Sequence, residues 1–330
     1  MRARHPGWRV LAMGALGLLF SAATIYGWGL VPGTAAADEA EISPTLRSDI
    51  LFTSYQQRRW SNDTVQIRLL AGFRHLDLHG GVESLRGIEQ CSLLEEITSR
   101  SGRGSWMPAG RYGSRHNPLT SLNSLATLSH LRVIRLPGFG IRDIAALRGL
   151  PNLTELELGV NQIEDFTPLE SCTHLTQLAL GYREFLLQKG HINHGGIAHS
   201  YPFPTRGNLD SIRHTVLPVS LEALAIPGLL VGDLMFLVNL QNLRTLDIGG
   251  TAITSIAPLR QLPLLETVWL DNNTITDSEV LLELPHLKRV LLDGDQFPEG
   301  DPLITALEAK GVKVTRSMMH LRNGFPQEHS

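Results

Sequence analysis

The sequence predicts an α/β solenoid of about nine coils, with one parallel β-sheet on its concave face and a helical cap at each end. Two observations support this fold class. Apolar residues recur every 22 residues, as in Leu131, Leu153 and Leu175 and again in Leu243 and Leu265. A fixed period of this length is typical of a solenoid, in which each unit buries its apolar face against its neighbours. Each unit also contains the pattern L-x-x-L-x-L, whose alternation indicates a strand.

The first 37 residues have the composition of an export signal. Arg2 and Arg4 precede an uncharged, mostly apolar stretch at 10–31, and Ala35 to Ala37 provide a small-residue cleavage site. The apolar stretch is longer than a usual signal core of about 7–15 residues and reaches the roughly 20 that span a bilayer. Residues 1–37 are therefore either a cleaved signal peptide or a retained signal anchor. In both cases the rest of the chain lies on the outer side of the membrane.

The rest of the chain divides into three regions. They are 38–72, an acidic lead-in and N-terminal cap; 73–297, the repeats, with insertions near 99–118 and 181–208; and 298–330, the C-terminal cap and tail. We expect a helix over 49–60. A second helix is expected from Asp301 to Lys310, because proline suits its first turn and Gly311 ends it.

The turns and the loops that follow the strands also repeat. Gly228, Gly250 and Asn272 stand two residues after successive strands, where a chain reversal needs a positive φ. Asn161 and Asn273 occupy a slot in which a buried amide can hydrogen-bond the backbone of neighbouring loops.

The repeats resemble leucine-rich repeats of the 22-residue, internalin-like type. The segments LTELELGVNQIEDFTPLESCTH and LRTLDIGGTAITSIAPLRQLPL match that pattern almost position for position. The resemblance covers roughly residues 73–297 and implies a right-handed leucine-rich-repeat solenoid. It departs from the pattern in having Asn in only two repeats and in the two insertions, and it carries no site residue over to this chain.

Cys91 and Cys172 fall in the same apolar slot of two coils that are three steps apart, about 14 Å. A disulfide needs Cα atoms within about 7 Å. We therefore predict two buried, unpaired thiols that act as small core residues.

The register also predicts which strand residues point out of the concave face. Trp269 and Leu291 are neighbours there, and exposed aromatic and aliphatic groups beside charges have the composition of an interface hot spot. The alternative is that the C-terminal cap folds over them. The predicted binding residues on this face are Trp269, Leu291, Arg289, Asp247, Asp271, Arg135 and Glu157.

The two insertions are a second candidate for binding. Together they carry seven basic residues and one acidic residue on a chain of net charge −3. Arg103, Trp106 and Arg111 in the first and Tyr182 in the second would form a basic, aromatic rim that binds an anionic partner, such as an acidic glycan, an envelope polymer or an acidic protein surface. The alternative is a pair of plain surface loops.

The sequence contains no catalytic motif that we recognise. His191, His194 and His199 invite interpretation as a metal site, but H-x-x-H without a fixed carboxylate or Cys partner is a weak signal, and we interpret them as polar loop histidines. We predict an exported, non-catalytic recognition protein that binds a protein or an anionic envelope polymer, with no cofactor. Its near-neutral charge argues against nucleic acid as a partner. The alternatives are a membrane-anchored structural envelope component and, more remotely, a metal-dependent enzyme that uses the His-rich insertion.

Overall fold

The computed structural model describes Leu46, Ile50 and residues 72–78, 82–99, 119–159, 161–181, 210–294 and 296–317. All of them belong to one compact unit, Glu41–Ser330. Within these residues the strands form a single parallel sheet whose order follows the chain. The strands are β1 His75–Leu78, β2 Glu96–Ser99, β3 Val133–Arg135, β4 Glu155–Glu157, β5 Gln177–Ala179, β6 Ala223–Ala225, β7 Thr245–Asp247, β8 Thr267–Trp269, β9 Arg289–Asp293 and β10 Lys313–Ser317. The predicted parallel sheet is confirmed, with β1–β9 as nine coils and β10 as a final strand.

The chain returns from the strands through turns and short helices. The 3-10 helices are Ile88–Gln90, Asn123–Leu125, Ala145–Gly149, Thr167–Ser171, Met235–Leu237, Ala257–Gln261 and Ser278–Glu283, and the α-helices are α1 Asp210–His214 and α2 Pro302–Ala309. An acidic side chain starts several 3-10 helices. The Asp143 and Asp233 carboxylates accept from the backbone N–H two residues later, at 2.9 and 3.0 Å. Such a bond satisfies a donor that the first turn leaves unpaired.

The register is continuous across the two longest gaps between strands. Ile97 of β2 lies beside Ile134 of β3, 37 residues later. Leu178 of β5 lies beside Leu224 of β6, 46 residues later. Every other neighbouring pair from β3 to β9 keeps the 22-residue step. The strands on either side of each gap therefore stack as directly as those of adjacent repeats.

The coils share one hydrophobic core. Leu153 and Leu243, from the first and second run of repeats, lie in the same buried cluster. Cys91 and Cys172 are buried free thiols in this core, so the predicted absence of a disulfide is confirmed. Burial raises the pKa of the Cys91 thiol to about 12, with a contribution from the charge of Glu89. Burial likewise raises the pKa of the Cys172 thiol to about 11.

The turns after the strands adopt the conformation that the sequence predicts. Gly228, Gly250 and Asn272 have φ of 76°, 65° and 57°. Asn161 is buried, its Oδ1 accepts from Ile141 N–H, and its amide donates to carbonyls on two successive coils. The predicted hydrogen bonds from a buried asparagine side chain to the backbone of neighbouring loops are therefore confirmed.

Asn273 makes the same bridge with more hydrogen bonds. Its Oδ1 accepts from the backbone N–H of Thr251 at 3.1 Å and of Ile253 at 3.2 Å. Its Nδ2 donates to the carbonyls of Ile248 at 2.7 Å and Leu270 at 3.0 Å. One side chain thus ties two consecutive coils together inside the core.

Helix α2 follows the last coil and contributes Leu307 to the core. The Asp301 carboxylate accepts from Leu303 N–H at 2.8 Å, and Gly311 has φ 80°. The N-terminal helix expected over 49–60 lies outside the described residues apart from Ile50, which is buried. The apolar stretch at 10–31 also lies outside them. Among the described residues, no helix is long and apolar enough to cross a membrane.

Candidate functional site

The outer face of the sheet carries two residues from each coil, aligned in two rows by the register. The accessible charged and large apolar side chains on this face fall into two groups, on either side of a less accessible middle. We call the group on β1–β4 the charged surface; it contains His75, Asp77, Glu96, Arg135, Glu155 and Glu157. We call the group on β8–β9 the Trp269 surface; it contains Trp269, Arg289 and Leu291.

The Trp269 surface combines two apolar side chains with one cation. Trp269 and Leu291 are direct partners in the parallel register, about 4.8 Å apart, and both are partly exposed. Arg289 is exposed, and its Nε donates to Thr267 Oγ1 at 3.2 Å. Strand β10 pairs beside β9, with Thr315 next to Leu291. Strand β10 therefore extends the sheet, and both apolar side chains are partly accessible.

Asp247 and Asp271 do not form the exposed flank that the sequence suggests, since each is only 1% exposed. Asp247 Oδ1 accepts from Gly249 N–H at 3.1 Å, and Asp271 Oδ2 accepts from the side-chain amide of Asn272 at 3.3 Å. Both carboxylates lie where the strands pass into tight turns, and they hydrogen-bond those turns. This placement corrects the predicted binding set: the two acids support the turns beneath the surface.

The middle of the outer face is less accessible than its ends, although Gln177 and Thr245 are partly exposed. Ala179, Ala223 and Ala225 occupy outward strand positions on β5 and β6 but are 3%, 7% and 1% exposed. Thr267, beside the Trp269 surface, is 2% exposed. A partner in solution therefore reaches this face mainly at its two ends.

The charged surface is organised around Arg135 on β3. Its Nη1 lies 3.0 Å from Glu96 Oε1 on β2, and its Nη2 lies 2.5 Å from Glu155 Oε2 on β4. His75 Nε2 on β1 lies 2.9 Å from the second oxygen of Glu96. Glu157 is the register partner of Arg135 and is partly exposed. One guanidinium therefore holds two carboxylates from the strands on either side of it.

The predicted basic rim and the histidine cluster lie outside the described residues. This applies to Arg103, Trp106, Arg111 and Tyr182, and also to His191, His194 and His199. Where the structure describes the chain, no group of three or more His, Cys, Asp and Glu side chains is arranged to hold a metal ion.

Residues 241–291 match the family model of leucine-rich repeats in two copies. The chain has the leucine-rich-repeat fold. Its 22-residue register is that of the internalin-like type. No curated protein sequence matches the chain.

One solved structure of a leucine-rich-repeat protein is similar in fold, and two internalin structures align less closely. A leucine-rich-repeat protein of Leptospira interrogans aligns with a TM-score of 0.51 at 19% identity, over 78% of this chain and 58% of that one. Internalin C2 of Listeria monocytogenes aligns with a TM-score of 0.47 at 21% identity, over 83% of this chain and 93% of that one. An internalin, inlF, of the same species aligns with a TM-score of 0.35 at 20% identity, over 86% and 93%.

Sequence reasoning placed Arg135 and Glu157 on the binding face but missed the network around them. The signal was present, because Glu96, Arg135 and Glu155 occupy outward positions on three successive strands. In a parallel stack such positions are neighbours, so alternating charges predict ion pairs across the strands.

Proposed function

We propose that this protein recognises another protein, without catalysis, and that the Trp269 surface is the centre of the interface. The observation that carries the proposal is the adjacency of Trp269 and Leu291 on the outer face of the sheet, both partly exposed, beside the exposed Arg289. Tryptophan and arginine are enriched among residues that dominate binding energy. The stacked strands of a solenoid are a common recognition surface.

The rigidity of the sheet supports this assignment. Trp269 lies between Asp247 and Leu291 in the parallel register, and its strand neighbour Val268 is fully buried. The backbone of an anchoring side chain is thereby fixed before binding, which lowers the entropic cost of association. Completing the burial of a partly exposed tryptophan removes on the order of 100 Å² from water, about 2–3 kcal/mol at 25 cal/mol per Å².

Export is part of the proposal and rests on the N-terminal sequence. The basic start, the apolar stretch and the alanine-rich site support delivery of the repeats to the outer side of a membrane. Mass spectrometry of the mature N-terminus separates a cleaved signal, with a start near Asp38, from a retained anchor. A chain found with its N-terminus intact and inside the cell contradicts export.

The experiment for the binding surface compares two double variants of the full chain. Chemical cross-linking identifies a partner of the wild type, and biolayer interferometry then measures its affinity. We expect Trp269→Ala with Leu291→Ala to weaken binding at least about 30-fold, which corresponds to a loss of about 2 kcal/mol. The matched control is Leu230→Ala with Met235→Ala, since these side chains are 63% and 57% exposed and lie outside the strands.

The control is essential because any exposed apolar side chain can contribute to non-specific adhesion. Equal loss in both double variants, or no loss in the Trp269 and Leu291 variant, contradicts the proposal. Far-UV circular dichroism and urea unfolding of each variant verify that the repeats remain folded.

A further inference from the structure

Two basic side chains stand next to each other on the outer face of the last two strands. Arg289 of β9 and Lys313 of β10 are direct partners in the parallel register, about 4.8 Å apart at the backbone, and both are exposed. Like charges directly opposite one another on neighbouring strands are destabilising. In the part of the chain that the structure describes, neither side chain has an ion-pair partner.

The positions just before the strands show how the same coils otherwise arrange their charges. Glu222, Arg244, Glu266 and Lys288 each come one residue before a strand on successive coils, so acids and bases alternate. The carboxylate oxygens of Glu266 lie 2.7 Å from Arg244 Nη1 and from Lys288 Nζ. The hydrogen bond from Lys288, and then that from Arg244, lower the pKa of this carboxyl group, which is shared by the two bases. This row is balanced, so it does not offset the exposed basic pair.

The acid on β9 lies at the far end of the strand. Asp293 is four residues after Arg289, about 13 Å along the strand, and its Oδ2 accepts from the backbone N–H of Asn272 at 3.2 Å. From one end to the other, the outer face of β9 carries Arg289, Leu291 and Asp293. The positive charge is therefore confined to the end where the strand begins, and the exposed apolar contact adjoins it.

The sheet also orients the guanidinium of Arg289. Its Nε donates to Thr267 Oγ1 at 3.2 Å, and Thr267 is 2% exposed. This bond uses one of the N–H donors of Arg289, and the planar fork of a guanidinium is suited to a carboxylate. Because the side chain is exposed, its terminal nitrogens are open to a partner. A donor that is oriented before binding lowers the entropic cost of association.

We infer that the protein partner places an aspartate or glutamate carboxylate between Arg289 and Lys313. This inference rests on the proposed function, and it specifies the chemistry of the partner beside Trp269 and Leu291. A guanidinium and an ammonium on neighbouring strands can both bond one carboxylate, and such charge-assisted hydrogen bonds are stronger than neutral ones. The carboxylate also relieves the repulsion between the two bases. Charge complementarity and the adjoining apolar contact thus point to the same occupant.

The geometry of β9 sets the spacing between the partner's acid and its apolar anchor. Arg289 and Leu291 leave the same face of the strand two residues apart, about 7 Å. An extended segment places two of its own side chains at this separation when they are two residues apart. On a helix, side chains three or four residues apart are the neighbours at a similar distance. We therefore expect the partner's acid two to four residues from its apolar anchor.

Selection from a phage-displayed library of short random peptides tests this chemistry without knowledge of the partner. The full chain is immobilised, bound phage are sequenced, and residue frequencies are compared with those of the input library. We expect apolar residues to be enriched, together with Asp or Glu two to four positions away at about threefold or more over the input. The most enriched peptide is then labelled with fluorescein, and its affinity is measured by fluorescence anisotropy.

Two double variants separate the basic pair from the charge of the whole chain. Arg289→Gln with Lys313→Gln is expected to remove the acidic enrichment and to weaken the labelled peptide about fivefold, because two partly exposed charge pairs are lost. Replacing the acid of the peptide by its amide should weaken binding to the wild type and leave binding to this variant unchanged. The matched control is Arg142→Gln with Arg148→Gln, which removes the same charge from exposed side chains that hydrogen-bond the next coil outside the strands. We expect the control to keep the acidic enrichment.

Loss of the acidic enrichment in both double variants, or its absence from the wild type, overturns the inference. A higher affinity for inorganic polyphosphate than for the enriched peptide also overturns it, because the two bases would then belong to a site for an anionic polymer. Apolar enrichment that persists in the variant without the basic pair, and disappears with Trp269→Ala and Leu291→Ala, supports the proposed function by itself. Failure of the inference is therefore distinguishable from failure of the proposed function.

Discussion

Removing the Asn273 side chain tests how much one buried amide contributes to the stack. Asn273 is 8% exposed and bridges two coils, with Thr251 and Ile253 as donors and with the Ile248 and Leu270 carbonyls as acceptors. In Asn273→Ala the N–H groups of Thr251 and Ile253 and the carbonyl of Leu270 lose this partner together. The Ile248 carbonyl keeps the Thr251 hydroxyl as a donor at 2.8 Å.

The expected cost follows from the number of groups left unpaired. A buried backbone donor or acceptor without a partner costs about 1–3 kcal/mol. Water entering the space left by the amide recovers part of this cost, because Asn273 is near the surface. With three groups left unpaired, we expect Asn273→Ala to lower the free energy of unfolding by about 2–3 kcal/mol. Asn161→Ala leaves three groups unpaired, so about 2–3 kcal/mol is expected.

Urea unfolding gives the overall change, and amide hydrogen exchange at Thr251 and Ile253 reports it locally. The neighbouring Asn272→Gly is the matched control, because Asn272 has φ 57° and glycine adopts that conformation without strain. We expect this control to remain within about 1 kcal/mol of the wild type, because it removes only the 3.3 Å hydrogen bond from the Asn272 side-chain amide to Asp271. A loss below about 1 kcal/mol for Asn273→Ala, or unchanged exchange at both amides, refutes the reasoning.

Two further predictions concern the core and the close packing of the turns. The raised pKa values of Cys91 and Cys172 keep both thiols protonated at pH 8. We therefore expect no reaction with Ellman's reagent in the native state and two reactive thiols per chain in urea. Rapid labelling of the native protein contradicts the burial of these thiols. A Cβ at Gly159 would lie 2.1 Å from the Gly181 carbonyl oxygen, whereas Gly228 has open space and φ 76°. Gly159→Ala is therefore expected to lower the free energy of unfolding by about 2–3 kcal/mol and Gly228→Ala by about 1 kcal/mol, and the reverse order in urea unfolding contradicts the argument.

The fold was predictable because the residue pattern of each repeat indicates its strand, its turn and its buried positions. The 22-residue step from Leu131 to Leu153 and Leu175 defines which side chains enter the core, and the sheet follows from stacking identical units. The two unpaired cysteines were predictable from the same register, because equivalent positions on coils three steps apart are too distant for a disulfide. In a solenoid each unit contacts only its neighbours, so the pattern of one repeat also predicts the architecture of the whole array.

The binding face was only partly predictable, because accessibility depends on neighbours that the period does not specify. Asp247 and Trp269 occupy equivalent outward positions, yet Asp247 is buried beside a tight turn and Trp269 is partly exposed. The register predicted the direction in which each side chain leaves the strand. It could not predict that Asp247 and Asp271 hydrogen-bond the turns, since that depends on the backbone path after each strand.

The direct pairing of β5 with β6 also bears on how such a protein can diversify. Leu178 and Leu224 stack as neighbours although more than twice the usual length of chain connects them. Because β5 and β6 pair directly despite the long connection between them, segments of different length and composition can be exchanged there while the flanking coils keep their geometry. Natural variation or protein engineering can therefore alter what this edge of the molecule presents without redesigning the leucine core.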